Sequence, residues 1–207
     1  GKTTTTANVG TSLALLGKKV CLIDTDIGLR NLDVAMGLEN RIIYDLVDVI
    51  EGRCKINQAL VKDKRFDGLL YLLPAAQTSD KTAVKPKQMK ALVNELKQDY
   101  DYVIIDCPAG IEQGYRNAVA GADKAIVVTT PEKTAVRDAD RIIGLLEKEE
   151  GVEPPKLVIN RIRSHMVHNG DMLDIDEITS HLSIDLIGIV VDDDSVIKAA
   201  NQGEPIA

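Results

Sequence analysis

Gly1-Lys2-Thr3-Thr4-Thr5-Thr6-Ala7-Asn8-Val9 opens the chain, in the form of a Walker A phosphate loop closing into a helix. In such a loop backbone N–H groups wrap phosphates, a lysine meets the β- and γ-phosphates, and a hydroxyl faces Mg²⁺. Gly1 then belongs to the cradle, Lys2 is the cation and Thr3 the metal ligand. A helix expected from Thr3 or Thr4 would turn its N-terminal dipole toward the anion. The upstream glycines and the strand that feeds them are not among the 207 residues. The expectation is therefore an α/β domain missing its first strand and the start of its phosphate loop. A Gly-Lys-Ser/Thr triplet arises by chance in roughly one in ten chains of this length, so the rest of the sequence has to decide.

Outward from that stretch, short aliphatic runs alternate with helical spacing. Val20–Ile23, Gly68–Leu73, Tyr102–Ile105, Ala125–Val128, Leu157–Ile159 and Leu186–Val190 are predicted buried strands. Met89, Leu92, Val93 and Leu96 share one helical face, as do Val136, Ala139, Ile143 and Leu146. Ile43, Leu46, Val47 and Ile50 form a shorter one. Pro86 marks a helix start and Gly203 the end of the last helix. Repeated strand–helix–strand units predict a doubly wound, mostly parallel sheet with helices on both faces. No linker or repeat interrupts it, and Gly151–Pro155 is a turn. Residues 1–207 are expected to form one domain, truncated at both ends.

Ligands on such sheets sit beyond the C-terminal ends of the strands, so the residues just past each run carry the chemistry. Val20–Ile23 leads into Asp24-Thr25-Asp26, two carboxylates that extended geometry would point the same way. One could complete a Mg²⁺ shell and the other orient water. Tyr102–Ile105 ends in Asp106-Cys107-Pro108-Ala109-Gly110, the Walker B pattern of apolar residues closed by a metal-holding Asp. Gly110 would let backbone approach a γ-phosphate. Leu157–Ile159 ends in Asn160, whose amide could read a base edge or simply make a turn. Val191–Ser195, with Asp192, Asp193 and Asp194, is expected to be a solvated helix N-terminus with Asp capping, or to flank the base. His165, His168 and His181 fall into no ligand set and are expected at the surface.

Composition narrows the class. Hydrophobic residues make up 44% and aromatics 3%, so Leu, Ile, Val and Ala must build the core. A net charge of −7 disfavours non-specific nucleic-acid binding. Cys21, Cys54 and Cys107 are widely separated and odd in number, which argues for a reducing compartment rather than a disulfide framework. No apolar run is long enough to span a bilayer.

Gly1–Thr6, Ile23–Asp33 and Asp106–Glu112 together resemble the MinD/ParA family of deviant Walker A ATPases, within it the septum-site-determining branch. Leu29-Arg30-Asn31-Leu32-Asp33 and Asn201–Pro205 favour that branch. The resemblance implies ATP and Mg²⁺ as cofactors. It puts Lys2 on phosphate, Thr3 on Mg²⁺, Thr4 in support of the phosphates, and Asp26 on the attacking water. It places Asp24 near the metal in the first switch, Asp106 and Gly110 in the second, and Asn160 on the base. It further implies an ATP-joined homodimer on the inner face of the bacterial cell membrane, held to anionic lipid by a C-terminal helix absent here. The implied partners are a MinC-like division inhibitor and a MinE-like or pole-linked regulator, without nucleic acid. The family's second, phosphate-reaching lysine is also absent, so the 207 residues alone are expected to be inactive. Three alternatives remain. The acidic balance argues against a ParA-like partition ATPase acting on DNA, and the lack of Cys-x-x-Cys against a metallocluster carrier. Asp26 argues against a non-hydrolysing scaffold.

Overall fold

A computed structural model describes residues 1–207 as two compact units. The larger comprises Lys2–Gly121 with Ser195–Ala207, the smaller Ala122–Asp194 with Gly1.

The larger unit is built on a four-stranded sheet. Its elements are α1 (Lys2–Leu15), β1 (Val20–Asp24), α2 (Leu32–Met36), α3 (Leu46–Ile50), α4 (Ile56–Ala59), β2 (Val61–Lys62), β3 (Leu70–Leu73), α5 (Pro86–Leu96), β4 (Tyr102–Asp106) and α6 (Gln113–Ala120). The strand order is β2-β3-β1-β4. β1 runs parallel to both β3 and β4, and only the two-residue β2 is antiparallel.

The period of two along each strand divides the core. Val20 and Leu22 of β1, Leu70 and Leu72 of β3 and Ile104 of β4 face Ala7, Ala14, Leu32 and Met36. Cys21, Ile23, Leu73, Val103 and Ile105 face Leu46, Val47, Met89, Leu92, Val93 and Leu96 on the other side. Helices therefore cover both faces of a mostly parallel sheet, as the aliphatic runs predict. Gly10 lets α1 lie against β1: a Cβ there would stand 2.6 Å from Leu22 Cδ2.

The smaller unit carries a three-stranded parallel sheet in the order β5-β6-β7. Its elements are β5 (Ile126–Thr129), α7 (Lys133–Leu146), β6 (Lys156–Ile162), α8 (Ser164–His168), α9 (Ile175–Leu182) and β7 (Leu186–Val191). Val136, Ala139, Ile143 and Leu146 of α7 are buried, as their shared face requires. α10 (Asp194–Asn201) follows, and Gly203 at φ +67 lies just past its end.

Local chemistry moves several expected boundaries. α1 starts at Lys2, not at Thr3 or Thr4. Ile43 is 81% exposed and lies outside its expected helix. The reason is a capping box: Asp45 and Asp48 exchange side-chain bonds with each other's backbone N–H at 2.9 and 3.1 Å, which starts α3 at Leu46. β6 runs on to Ile162 through a register shift after Ile159.

Arg65 fastens the tail of the larger unit. Its Nε and Nη2 grip Asp63 at 3.0 and 2.8 Å, Nη1 donates to Gly203 O at 3.1 Å, and Nη2 also donates to Met36 O. Below it Gly37 and Gly203 meet backbone to backbone, where a Cβ on either would stand 2.6 Å from the other. Asp63 is 1% exposed and Arg65 partly exposed. Arg65→Ala removes the side-chain donors from the buried Asp63 carboxylate, which keeps the residue-65 backbone N–H at 3.1 Å. Because Arg65 is itself partly exposed, the expected cost is about 1.5–3 kcal/mol in urea unfolding, the range for hydrogen bonds to charged groups. A loss below about 0.5 kcal/mol would show that the clasp does not hold the fold.

Candidate nucleotide site

The ends of β1 and β4 and the first turn of α1 bring most of the predicted residues together. β1 and β4 pair in register through Asp24 opposite Asp106. Thr3 Oγ1 donates to Asp106 Oδ2 at 2.7 Å, and Thr6 Oγ1 donates to Asp106 Oδ1 at 3.2 Å. Thr25 Oγ1 donates to the Asp106 carbonyl at 2.6 Å. Asp106 is thus held by two helix hydroxyls and a strand-end hydroxyl. Burial raises its carboxyl above the usual range; the bonds from Thr3 and Thr6 and the charge of Lys2 oppose that, and Asp26 adds to it.

Lys2 is exposed at the start of α1. Its charge reaches Asp106 and also Cys107, whose thiol burial pushes up to about 11. Thr4 is half-buried in the same turn, and its carbonyl accepts from Asn8 Nδ2 at 2.9 Å. Gly1 is exposed. Gly110 follows β4 at φ +90, a backbone that suits glycine, and is exposed with nothing near its missing side chain.

Asp24 is 1% exposed. Its Oδ1 accepts the Asp26 N–H at 2.9 Å and its Oδ2 the Leu32 N–H at 3.2 Å. The carboxylate therefore spans the loop from β1 to α2. Burial pushes its carboxyl up to about 6, the two backbone bonds oppose, and Asp106 and Asp26 add to the rise. Asp26 is half-buried at the mouth of this loop.

These donors suit a hard cation. Mg²⁺ takes one or two carboxylates with hydroxyl, water and phosphate oxygens. Thr3 and Asp106 present such oxygens together, Asp24 gives both of its oxygens to backbone N–H groups, and Asp24, Asp26 and Asp106 repel one another while Lys2 opposes.

Asn160 lies in the smaller unit, 8% exposed, near the end of β6. Its Oδ1 accepts the Arg161 N–H at 2.9 Å. Arg161 sits at φ +60, and Asp192 binds Arg161 Nε at 3.2 Å and Arg163 Nε at 2.6 Å. These two arginines hold the Asp192 carboxyl below its ordinary value, Arg163 the more strongly. Asp192, at the start of the loop that leads into α10, clamps the end of β6. His165, His168 and His181 are exposed.

Sequence reasoning missed Thr6, Thr25 and the Arg30–Asp33 ion pair (Nε to Oδ2, 2.8 Å). Thr6 was within reach, since it lies one turn beyond Thr3 on the same helix face.

A phosphate-loop helix joined through hydroxyls to a strand-end Asp, on a sheet wound on both faces, is the construction of the P-loop nucleotide-binding class. A family profile described as an AAA domain matches residues 1–158. The septum site-determining protein MinD of Bacillus subtilis (strain 168) is 80% identical over 207 residues, covering 100% of this chain and 77% of that protein. The MinC:MinD cell division protein complex of Aquifex aeolicus contains a chain of 49% identity with a TM-score of 0.90, covering 100% of this chain and 82% of that one. The MinD of Pyrococcus horikoshii OT3 complexed with Mg-ADP has 26% identity and a TM-score of 0.87, covering 99% and 82%. The chain belongs to the MinD family of septum site-determining P-loop ATPases.

Proposed function

We propose that this chain, as one domain over residues 1–207, is the core of an ATP-hydrolysing switch that places the division septum. The observation that carries the reading is the Thr3–Asp106 hydrogen bond, with Lys2 and Asp26 acting on the same carboxylate. In this reading Gly1, Lys2, Thr3 and Thr4 cradle the phosphates of ATP, and the Gly110 N–H meets the γ-phosphate. Thr3, Asp24 and Asp106 hold Mg²⁺, which when bound neutralises charge on the phosphates. Asp26 orients the attacking water, and Asn160 reads the base edge, its amide fixed by the Arg161 N–H.

The wider cycle is that of the family. ATP joins two copies of the protein, the pair settles on the anionic inner face of the cell membrane, and it recruits a MinC-like inhibitor. Hydrolysis, prompted by a MinE-like or pole-linked regulator, releases it. The Bacillus relative's name supports the role in septum placement, the Aquifex complex supports the inhibitor, and the Pyrococcus complex supports Mg²⁺ and adenine nucleotide. The net charge of −7 accords with a cycle that does not involve nucleic acid.

Phosphate release by the full-length protein tests the enzymatic core. ATP should be turned over with Mg²⁺ and not with EDTA. Absence of turnover with saturating Mg-ATP, membrane and regulator would overturn the reading.

A further inference from the structure

Asp26 stands on a loop whose shape is set beyond Asp26 itself. The chain leaves β1 at Asp24 and re-enters regular structure at Leu32. Between them the Leu29 and Arg30 N–H groups both donate to the Asp26 carbonyl at 3.1 Å, closing a tight turn directly on that residue. Gly28 N–H donates to Ala76 O at 2.8 Å, and Ile27 is 4% exposed, so the near side of the turn is anchored. The far side is Arg30 at φ +48, a backbone region unfavourable for any residue with a side chain.

Something must hold Arg30 there. Its Nε lies 2.8 Å from Asp33 Oδ2, with side-chain exposures of 19% and 0%. The contact is an ion pair without hydrogen-bond geometry, since neither Asp33 oxygen has a hydrogen-bond partner; burial raises the Asp33 carboxyl, and the Arg30 charge is the largest influence opposing that rise. Asp33 stands in the first turn of α2, beside the fully buried Leu32 whose N–H binds Asp24. A buried carboxylate without its cation is strongly disfavoured, so Asp33 keeps Arg30 folded inward, and Arg30 keeps the turn closed on Asp26.

We infer that the Arg30–Asp33 ion pair is a positioning latch for Asp26, setting the rate of hydrolysis rather than the affinity for ATP. The inference rests on the ATPase reading and adds to it two residues that this reading does not assign to phosphate or metal. Opening the latch frees Arg30 from its strained backbone and lets the Asp26 carbonyl lose both N–H partners. A misplacement of about 1 Å in a group that orients a nucleophile costs on the order of 100-fold in rate.

The test is a cycle of Arg30→Ala, Asp33→Asn and the double variant in the full-length protein, with ATP affinity, kcat and thermal unfolding measured for each. Each single variant should lower kcat at least about tenfold while ATP affinity stays within about twofold. The double variant should lose no more than the worse single, because either change opens the same latch. Arg30→Lys should recover most of the turnover. Arg30→Gly, which suits the backbone but lacks the charge, should not. Unchanged kcat in both single variants would overturn the latch, as would affinity and kcat falling in parallel or Arg30→Gly matching the wild type. A wild-type protein without turnover would overturn the ATPase reading instead, so the two failures are distinct.

Discussion

Asp26→Ala in the full-length protein binds ATP with near wild-type affinity and turns it over about 100- to 10,000-fold more slowly, the range for losing a positioned carboxylate from a reacting group. The expectation comes from where Asp26 sits. It is half-buried at the exit of β1, and its N–H is fixed by Asp24. Its carbonyl is fixed by Leu29 and Arg30, and its charge acts on Asp106, which is itself bonded to the Thr3 hydroxyl. The backbone is held on both sides while the carboxylate remains available. In the proposed reading the phosphates rest on Gly1, Lys2, Thr3 and Thr4 and the metal on Thr3, Asp24 and Asp106, none of which this variant changes, so affinity is expected to survive. Single-turnover phosphate release, with nucleotide affinity measured in parallel, checks both halves. Turnover equal to wild type would remove Asp26 from the chemistry.

Lys2→Ala produces the opposite division of effects. Lys2 begins α1, and its charge already opposes the raised carboxyl of Asp106. No other lysine or arginine lies in the first turns of α1. A charge-assisted contact to phosphate is worth about 1.5–3 kcal/mol, which corresponds to roughly a 10- to 150-fold weaker affinity for ATP. Pairing of two copies and recruitment to anionic vesicles should be lost with it at ATP concentrations that saturate the wild type. Equilibrium nucleotide binding and vesicle sedimentation measure these together. Normal ATP-dependent pairing by this variant would remove Lys2 from the phosphate site.

The sequence carries the site unevenly, for physical reasons. The places of Asp106 at the end of β4 and of Thr3 in the first turn of α1 were legible from three motifs taken together, Gly1-Lys2-Thr3, Asp24-Thr25-Asp26 and Asp106–Gly110, where each alone reads equally well as a turn or a chain end. Both faces of the four-stranded sheet were legible from the aliphatic runs of β1 and β3, whereas the run of β7, expected to be buried, leaves Ile187, Ile189, Val190 and Val191 exposed. β2 was not: two residues cannot show a period, and its pairing with β3 is set by tertiary contacts. Ile43 shared the spacing of Leu46, Val47 and Ile50, but spacing does not reveal where a helix begins; the Asp45–Asp48 box does.

Asp24 illustrates a different limit. Its place at a strand end was predicted, whereas its two bonds to loop N–H groups depend on a turn that brings Leu32 back over eight positions. The Arg30–Asp33 pair is hidden for the same reason: an i,i+3 pair looks like ordinary surface charge until Arg30 adopts a left-handed backbone and Asp33 is buried. Asn160 could be read as a base reader or as a turn residue, and its bond to the Arg161 N–H depends on the irregularity of β6 and the Asp192 clamp.

The central claim is that ATP, through this site, controls assembly and is consumed in doing so. Sedimentation velocity of the full-length protein and its Asp26→Ala variant in Mg-ATP and in Mg-ADP tests it most directly. The account predicts a dimer for the variant that persists in Mg-ATP, a transient dimer for the wild type that decays as phosphate is released, and monomers for both in Mg-ADP. The same sedimentation coefficient in ATP and ADP for both proteins would contradict it.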